Sequence, residues 1–162
     1  MHQTQIRRLV MAALFTALTV VATTIISIPL PHGFANLGDA AVLLAGGILG
    51  GPLGIVAAGV GSALADMLLG FTVYAPATLV IKGGMAALFC WIYGKKTTLL
   101  RSIFGAVAAE CVMVLGYFLY ETVLYGAAVA ALSIFGNAMQ GAVGAAVACA
   151  VLPLAGRMKN IG

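Results

Sequence analysis

Apolar residues in this chain run on continuously, without the period-two alternation of a half-buried strand or the polar back face of a surface helix. Gly, Pro and charge cut these runs into six predicted helices. The first covers about 6–28 and is closed by Pro29-Leu30-Pro31-His32-Gly33. A loop through Asn36 leads into a short second helix, about 38–49, and Gly50-Gly51-Pro52 turns the chain into a third, about 53–69. After a turn at 70–75, Pro76 is placed to open a fourth helix ending near 93, before Gly94-Lys95-Lys96. The fifth covers about 100–125 and the sixth about 132–154. A membrane β-barrel would show alternation, so the pattern predicts an all-α bundle of one domain spanning 1–162.

Composition turns this bundle into a membrane bundle. Of 162 residues, 63% are hydrophobic and 7% charged, and the mean hydropathy is +1.15. Soluble domains carry about 25% charged residues, so too little polar surface exists here to face water. Helices of about 20 apolar residues match a hydrocarbon core of about 30 Å. The first segment follows Arg7 and Arg8 as a signal peptide would, but it is long for one and no more apolar than the rest, so it reads as the first span. Cys90, Cys111 and Cys149 stand singly in apolar runs without metal spacing, as packing residues do.

Charge then orients the bundle. With six spans, Arg7, Arg8, Lys95, Lys96, Arg101, Arg157 and Lys159 fall on one side, seven of the eight Lys and Arg residues. The positive-inside rule places that side, with both termini, in the cytoplasm. The basic balance is a by-product of this bias and gives no reason to expect nucleic acid. Glycines within and beside the spans let helix backbones approach where lipid supplies no hydrophobic drive.

Five ionisable groups lie at membrane depth: Asp39, Asp66, Lys82, Glu110 and Glu121. Each costs about 2.5–3.5 kcal/mol to insert and is a functional candidate by default. Lys82 is six residues past Pro76, hence about 9 Å below the outer surface at the helical rise. Glu110, Tyr117 and Glu121 share one helical face, and Asn137 and Gln140 are i,i+3 neighbours on another. Together with Asp66 and Lys82 they predict a polar pocket in the outer half of the bundle, suited to a small ligand with several hydrogen-bonding groups. Blander roles are open for some of them: a cap or first-turn acid for Asp39, an Asp66–Lys82 ion pair, and contact with external water for Glu121. Trp91, near the cytoplasmic end, reads as an interfacial anchor.

Several segments carry a resemblance: Asn36-Leu37-Gly38-Asp39-Ala40, Gly50-Gly51-Pro52-Leu53-Gly54, Ser62-Ala63-Leu64-Ala65-Asp66, and Tyr74-Ala75-Pro76 through Lys82-Gly83. With the six-span plan and short second helix, the chain resembles the S components of bacterial energy-coupling factor (ECF) transporters, in the riboflavin, hydroxymethylpyrimidine and pyridoxine branch. Ala13-Leu14-Phe15-Thr16-Ala17 is similar to the family's Ala-x-x-x-Ala motif. The resemblance implies a vitamin-binding subunit of the bacterial cytoplasmic membrane that is not an enzyme and holds no cofactor or metal. It implies docking through Ala13 and Ala17 on a membrane coupling (T) subunit that carries two ABC-type ATPases. It also implies a gate over the pocket formed by the loop with Pro31, His32 and Asn36. The absence of a Gly-x-x-x-x-Gly-Lys-Ser/Thr motif agrees with ATP hydrolysis by partners.

Two other classes stay open on the residues alone. A stand-alone secondary transporter or proton-coupled carrier would call for inverted repeats or broken helices, and no clear repeat is visible. A small membrane enzyme would call for a catalytic partner for Glu110. Carboxylates with Asn and Gln favour a basic, hydroxylated heteroaromatic ligand of hydroxymethylpyrimidine or pyridoxine type, and Lys82 opposes that choice if it is unpaired.

Overall fold

The computed structural model describes residues 3–25, 27–29, 34–94 and 98–159. Helix α1 (Gln3–Ile25) is followed by a two-stranded antiparallel hairpin, β1 (Ser27–Pro29) and β2 (Phe34–Asn36), with Ser27 opposite Asn36 and Pro29 opposite Phe34. Helices α2 (Gly38–Leu44), α3 (Gly51–Leu68), α4 (Ala75–Tyr93), α5 (Leu99–Tyr125) and α6 (Ala127–Lys159) complete the chain. The hairpin stands where the sequence suggested an irregular loop, and it ends α1 at Ile25 rather than near 28. It gives partners to backbone groups that a membrane-embedded loop would leave bare.

Five of these helices are long and apolar enough to cross a bilayer; the segment Gly38–Leu49 is apolar but shorter. That shorter segment holds the centre. α2 packs on α1, α3, α4 and α6, and every residue from Gly38 to Leu44 is buried. A helix wrapped on all sides has no need of a polar face. Its last turn, Ala45–Leu49, is π-helical, and the Gly50 N–H closes it on the Ala45 carbonyl at 3.0 Å. Gly50 (φ 59°) and Gly51 (φ 57°) then reverse the chain in the left-handed region that only glycine enters cheaply. Around α2 the long helices follow one another as α1, α3, α4, α5 and α6, with α2 bridging α6 back to α1.

The polarity is that of a protein solvated by lipid. Leu14, Leu18, Val80, Leu100, Phe104, Leu119, Val123 and Phe135 point outward, while Thr19, Asp39, Ser62, Asp66, Thr78, Lys82, Glu110, Glu121, Ser133 and Gln140 are buried. The apolar core adjoins these polar groups and continues past them on Phe89, Met85, Met113, Leu43, Tyr93 and Leu152. Phe89 and Tyr93 stack there with centroids 5.3 Å apart. One end of the bundle is therefore packed solid, and the other carries the polar interior.

Candidate functional site

The polar end holds a cavity with about 610 Å³ of empty space, counting the open volume at its mouth. Six residues nominated from sequence line it: Asp66 from α3, Lys82 from α4, Tyr117 and Glu121 from α5, and Asn137 and Gln140 from α6. Asn36, at the end of β2, lines it as well. Pro31 and His32, assigned with Asn36 to the gate, lie outside the described residues.

Glu110 differs from expectation. It is buried at 7% exposure but does not line the cavity. It lies two turns below Tyr117 on the same face of α5 and packs against α6 where Gly141 leaves room. A Cβ at Gly141 would stand 2.8 Å from Glu110 Oε2. Neither Glu110 oxygen has a hydrogen-bond partner. Helical phase alone grouped Glu110 with the pocket; depth along the helix separates them.

The buried cation also pairs otherwise than the sequence suggested. Lys82 Nζ donates to Asp39 Oδ1, not to Asp66, and the two side chains are 6% and 1% exposed. Asp39 stands in the first turn of α2, as one of its expected roles had it, but is not the cap: the N-cap is Leu37, without a side-chain bond. Its second oxygen accepts from Gln140 Nε2 at 2.7 Å. Gln140 Oε1 accepts in turn from the backbone N–H and Nδ2 of Asn36, at 3.1 and 3.2 Å, and Asn36 Oδ1 accepts from the Gly38 N–H at 2.7 Å. One continuous network thus ties the hairpin to α6, α2 and α4. Close approach makes it possible, since a Cβ at Gly144 on α6 would meet Asp39 Cβ at 2.7 Å.

Above this floor the wall is aromatic and acidic. Lys82 Nζ stands 5.5 Å from the centroid of the Tyr117 ring, within cation–π range. The Tyr117 hydroxyl is 2.9 Å from Thr78 Oγ1. Tyr74 lies edge-on to Phe71 and Tyr120 and tilted against Tyr117, with centroids 5.7–6.4 Å apart. Glu121 accepts from Tyr74 Oη at 3.3 Å and from Ser133 Oγ. Tyr74 precedes α4, and burial, then the Tyr125 hydroxyl and the Glu121 carboxylate, push its phenol well up and keep it a donor. Asp66 stands in the same wall, beside the Thr78 hydroxyl and within the field of Lys82. Its Oδ2 is buried with no hydrogen-bond partner.

Thr23, Asp39, Ser62, Phe71, Tyr74 and Thr78 are lining residues that the sequence reading did not place in the pocket. Two of them had a signal. Ser62 stands four residues before Asp66 and Thr78 four before Lys82, so each shares a helical face with a nominated charge. Ala13 and Ala17 do not line this cavity. Both are exposed on the outer side of α1, opposite its buried stripe of Phe15, Thr19 and Thr23.

A family model described as "ECF-type riboflavin transporter, S component" matches residues 3–158. The chain belongs to this family. The chain is 37% identical over 126 residues, 76% of its length and 84% of the relative's, to an uncharacterised protein of Pyrococcus woesei. It is 29% identical over 157 residues to the thiamine precursor transporter HmpT of Lactococcus lactis, covering 95% of this chain and 90% of that one. Among solved structures, the S component of a bacterial ECF transporter superposes with a TM-score of 0.71 over 97% of this chain and 98% of the other, at 24% identity, which establishes the fold. S components are multi-pass membrane subunits for vitamin uptake and not enzymes, and the polar end of the bundle is where this one has room for a ligand.

Proposed function

We propose that this S component binds a small, basic, hydroxylated heteroaromatic vitamin or precursor, of hydroxymethylpyrimidine or pyridoxine type, in the cavity between α3, α4, α5 and α6. It would hand that cargo to a membrane coupling subunit driven by two ATPases. The observation that carries the reading is the division of charge in the pocket. Lys82 is already committed to Asp39, so it no longer opposes a basic ligand, while Asp66 keeps a buried oxygen without a donor. A buried acceptor left unmade costs about 1–3 kcal/mol, and an amino or ring N–H donor from a ligand removes that cost. Flat faces are supplied by Tyr74, Tyr117 and Phe71, and the Asn137 amide offers both a donor and an acceptor. The likeness to a thiamine precursor transporter supports the same class of ligand.

The gate is part of this reading. Asn36 ends β2 and bonds to Gln140 inside the cavity, so the hairpin would close over bound ligand through that contact. Calorimetry on detergent-purified protein with aminopyrimidine, pyridoxine and riboflavin tests the substrate. Asp66→Asn should weaken the preferred ligand about tenfold or more, ~1.4 kcal/mol. Tight binding of riboflavin with neither smaller ring bound would refute the substrate assignment. Unchanged affinity in Asp66→Asn would remove Asp66 from the site.

A further inference from the structure

Across the bundle from α1, the solidly packed end carries a groove between the last turns of α4 and the first turns of α5. Trp91, Ile92, Leu100, Arg101 and Phe104 line it around about 850 Å³ of open space. Leu100 is 78% exposed, Phe104 66% and Trp91 63%. Arg101 alone among the lining residues is charged. Its Nη1 donates to the Ile92 carbonyl at 3.2 Å, one of the carbonyls that the end of α4 leaves without a helical partner. That bond bridges the two helices and fixes a planar guanidinium at the head of an apolar trough.

Charge decides what the trough fits. Among the described residues the only ion pair joins Asp39 and Lys82, so Arg101 has no carboxylate. No Asp or Glu occurs in the sequence between Asp66 and Glu110, whereas Lys95 and Lys96 fall in the α4–α5 connection. A guanidinium has five donors in a rigid fork that matches two phosphate oxygens. The seven-to-one bias of basic residues puts this end at the cytoplasmic leaflet, whose anionic lipids attract such groups. We propose that the groove binds one anionic phospholipid, its phosphate on Arg101 and an acyl chain along Ile92, Leu100 and Phe104. Trp91 closes one side with an indole suited to the headgroup level. The outer strip of α1 with Ala13 and Ala17 is separated from the groove by α3 on one side and by α2 and α6 on the other. A subunit docked on α1 therefore leaves this site facing lipid.

Native mass spectrometry of the whole protein in mild detergent tests it, with dioleoyl phosphatidylglycerol against dioleoyl phosphatidylcholine as probes. Wild type should retain one phosphatidylglycerol with about tenfold preference, ~1.4 kcal/mol. Arg101→Gln and Leu100→Glu should each abolish that preference; Arg101→Gln sets no new charge against lipid, and melts of both variants report that the fold is kept. Arg7→Gln with Arg8→Gln removes more basic charge from the same end without touching the groove and should keep the preference. Equal retention of both lipids would mean annular lipid only. Equal loss in the Arg7/Arg8 variant would mean bulk attraction, and displacement by excess inorganic phosphate would make the site a phosphate site. Unchanged lipid binding in both groove variants, with ATP-driven uptake lost, would assign the groove to a protein partner. Each of these four results overturns the proposal.

Discussion

Replacing Lys82 by Met should cost this protein more than any single change at its surface. The pair it forms with Asp39 is 6% and 1% exposed and lies inside a membrane bundle. Removing one member of such a pair leaves an uncompensated buried charge, worth about 3–5 kcal/mol. At roughly 2–4 °C per kcal/mol for a chain of this length, the unfolding midpoint should fall by about 6–20 °C. The double variant, Lys82→Met with Asp39→Leu, should recover much of that loss, because apolar replacement of a whole buried pair is close to neutral. Recovery stays incomplete for a reason visible in the network: Gln140 Nε2 loses the acceptor it now reaches at 2.7 Å. That orphaned donor costs about 1–3 kcal/mol, or about 2–12 °C at the same conversion. Circular dichroism melts in detergent give the three midpoints, with wild type highest, the double variant between and Lys82→Met lowest. A Lys82→Met midpoint within about 2 °C of wild type, or a double variant below the single, would refute the account of Lys82 as a cation held by Asp39.

Gly144→Ala should destabilise by about 1–3 kcal/mol, because the added Cβ meets Asp39 Cβ at 2.7 Å and the Ala40 nitrogen at 3.2 Å. Gly84→Ala is its control, since nothing lies within 4 Å of a Cβ there, and the same melts should show no loss. Ala13→Trp with Ala17→Trp should abolish ATP-driven vitamin uptake in a reconstituted system and leave calorimetric binding intact, since both alanines are exposed on α1 away from the cavity. Uptake that survives, or binding that falls with it, would remove α1 as the docking face. Single cysteines at Val73, beside the cavity end, and at Lys96 in a background lacking Cys90, Cys111 and Cys149 should label from opposite sides of the membrane. Labelling from one side would overturn the orientation drawn from the basic residues.

The helices were legible because lipid removes alternatives. A segment of about 20 apolar residues can satisfy its backbone in a bilayer only as a helix or in a closed barrel, and Gly-Pro punctuation marked the ends. Gly50-Gly51-Pro52 marks a turn in the sequence, and the structure shows why two glycines are needed there: both have positive φ. The short second helix was legible too, though not its position at the centre of the ring. That position follows from contacts with α1, α3, α4 and α6, and an all-apolar helix has the same pattern whether lipid or protein surrounds it. The hairpin was not legible. Its strands have three residues each, and no periodicity can be counted over so few positions.

For the site, sequence carried residue type and failed on pairing. Membrane cost singles out each buried charge without naming its partner, because partners come from helices far apart in the chain. Asp39 and Lys82 are separated by 43 positions, Asp39 and Gln140 by 101. Similar depth on consecutive helices favoured Asp66 for Lys82, yet α2 lies inside the ring and brings Asp39 closer. Once the inner helix takes the lysine, the remaining acids acquire different roles by subtraction. Glu121 has hydroxyl donors from Tyr74 and Ser133, Glu110 sits below the cavity, and Asp66 faces the cavity with an oxygen to spare. In the proposed reading, ligand preference would follow from where α2 puts one carboxylate. Were Asp39 absent, Lys82 would stand uncompensated in the cavity wall and the pocket would favour an anion. With Asp39 in place, the proposed reading has the pocket asking for a donor at Asp66 Oδ2.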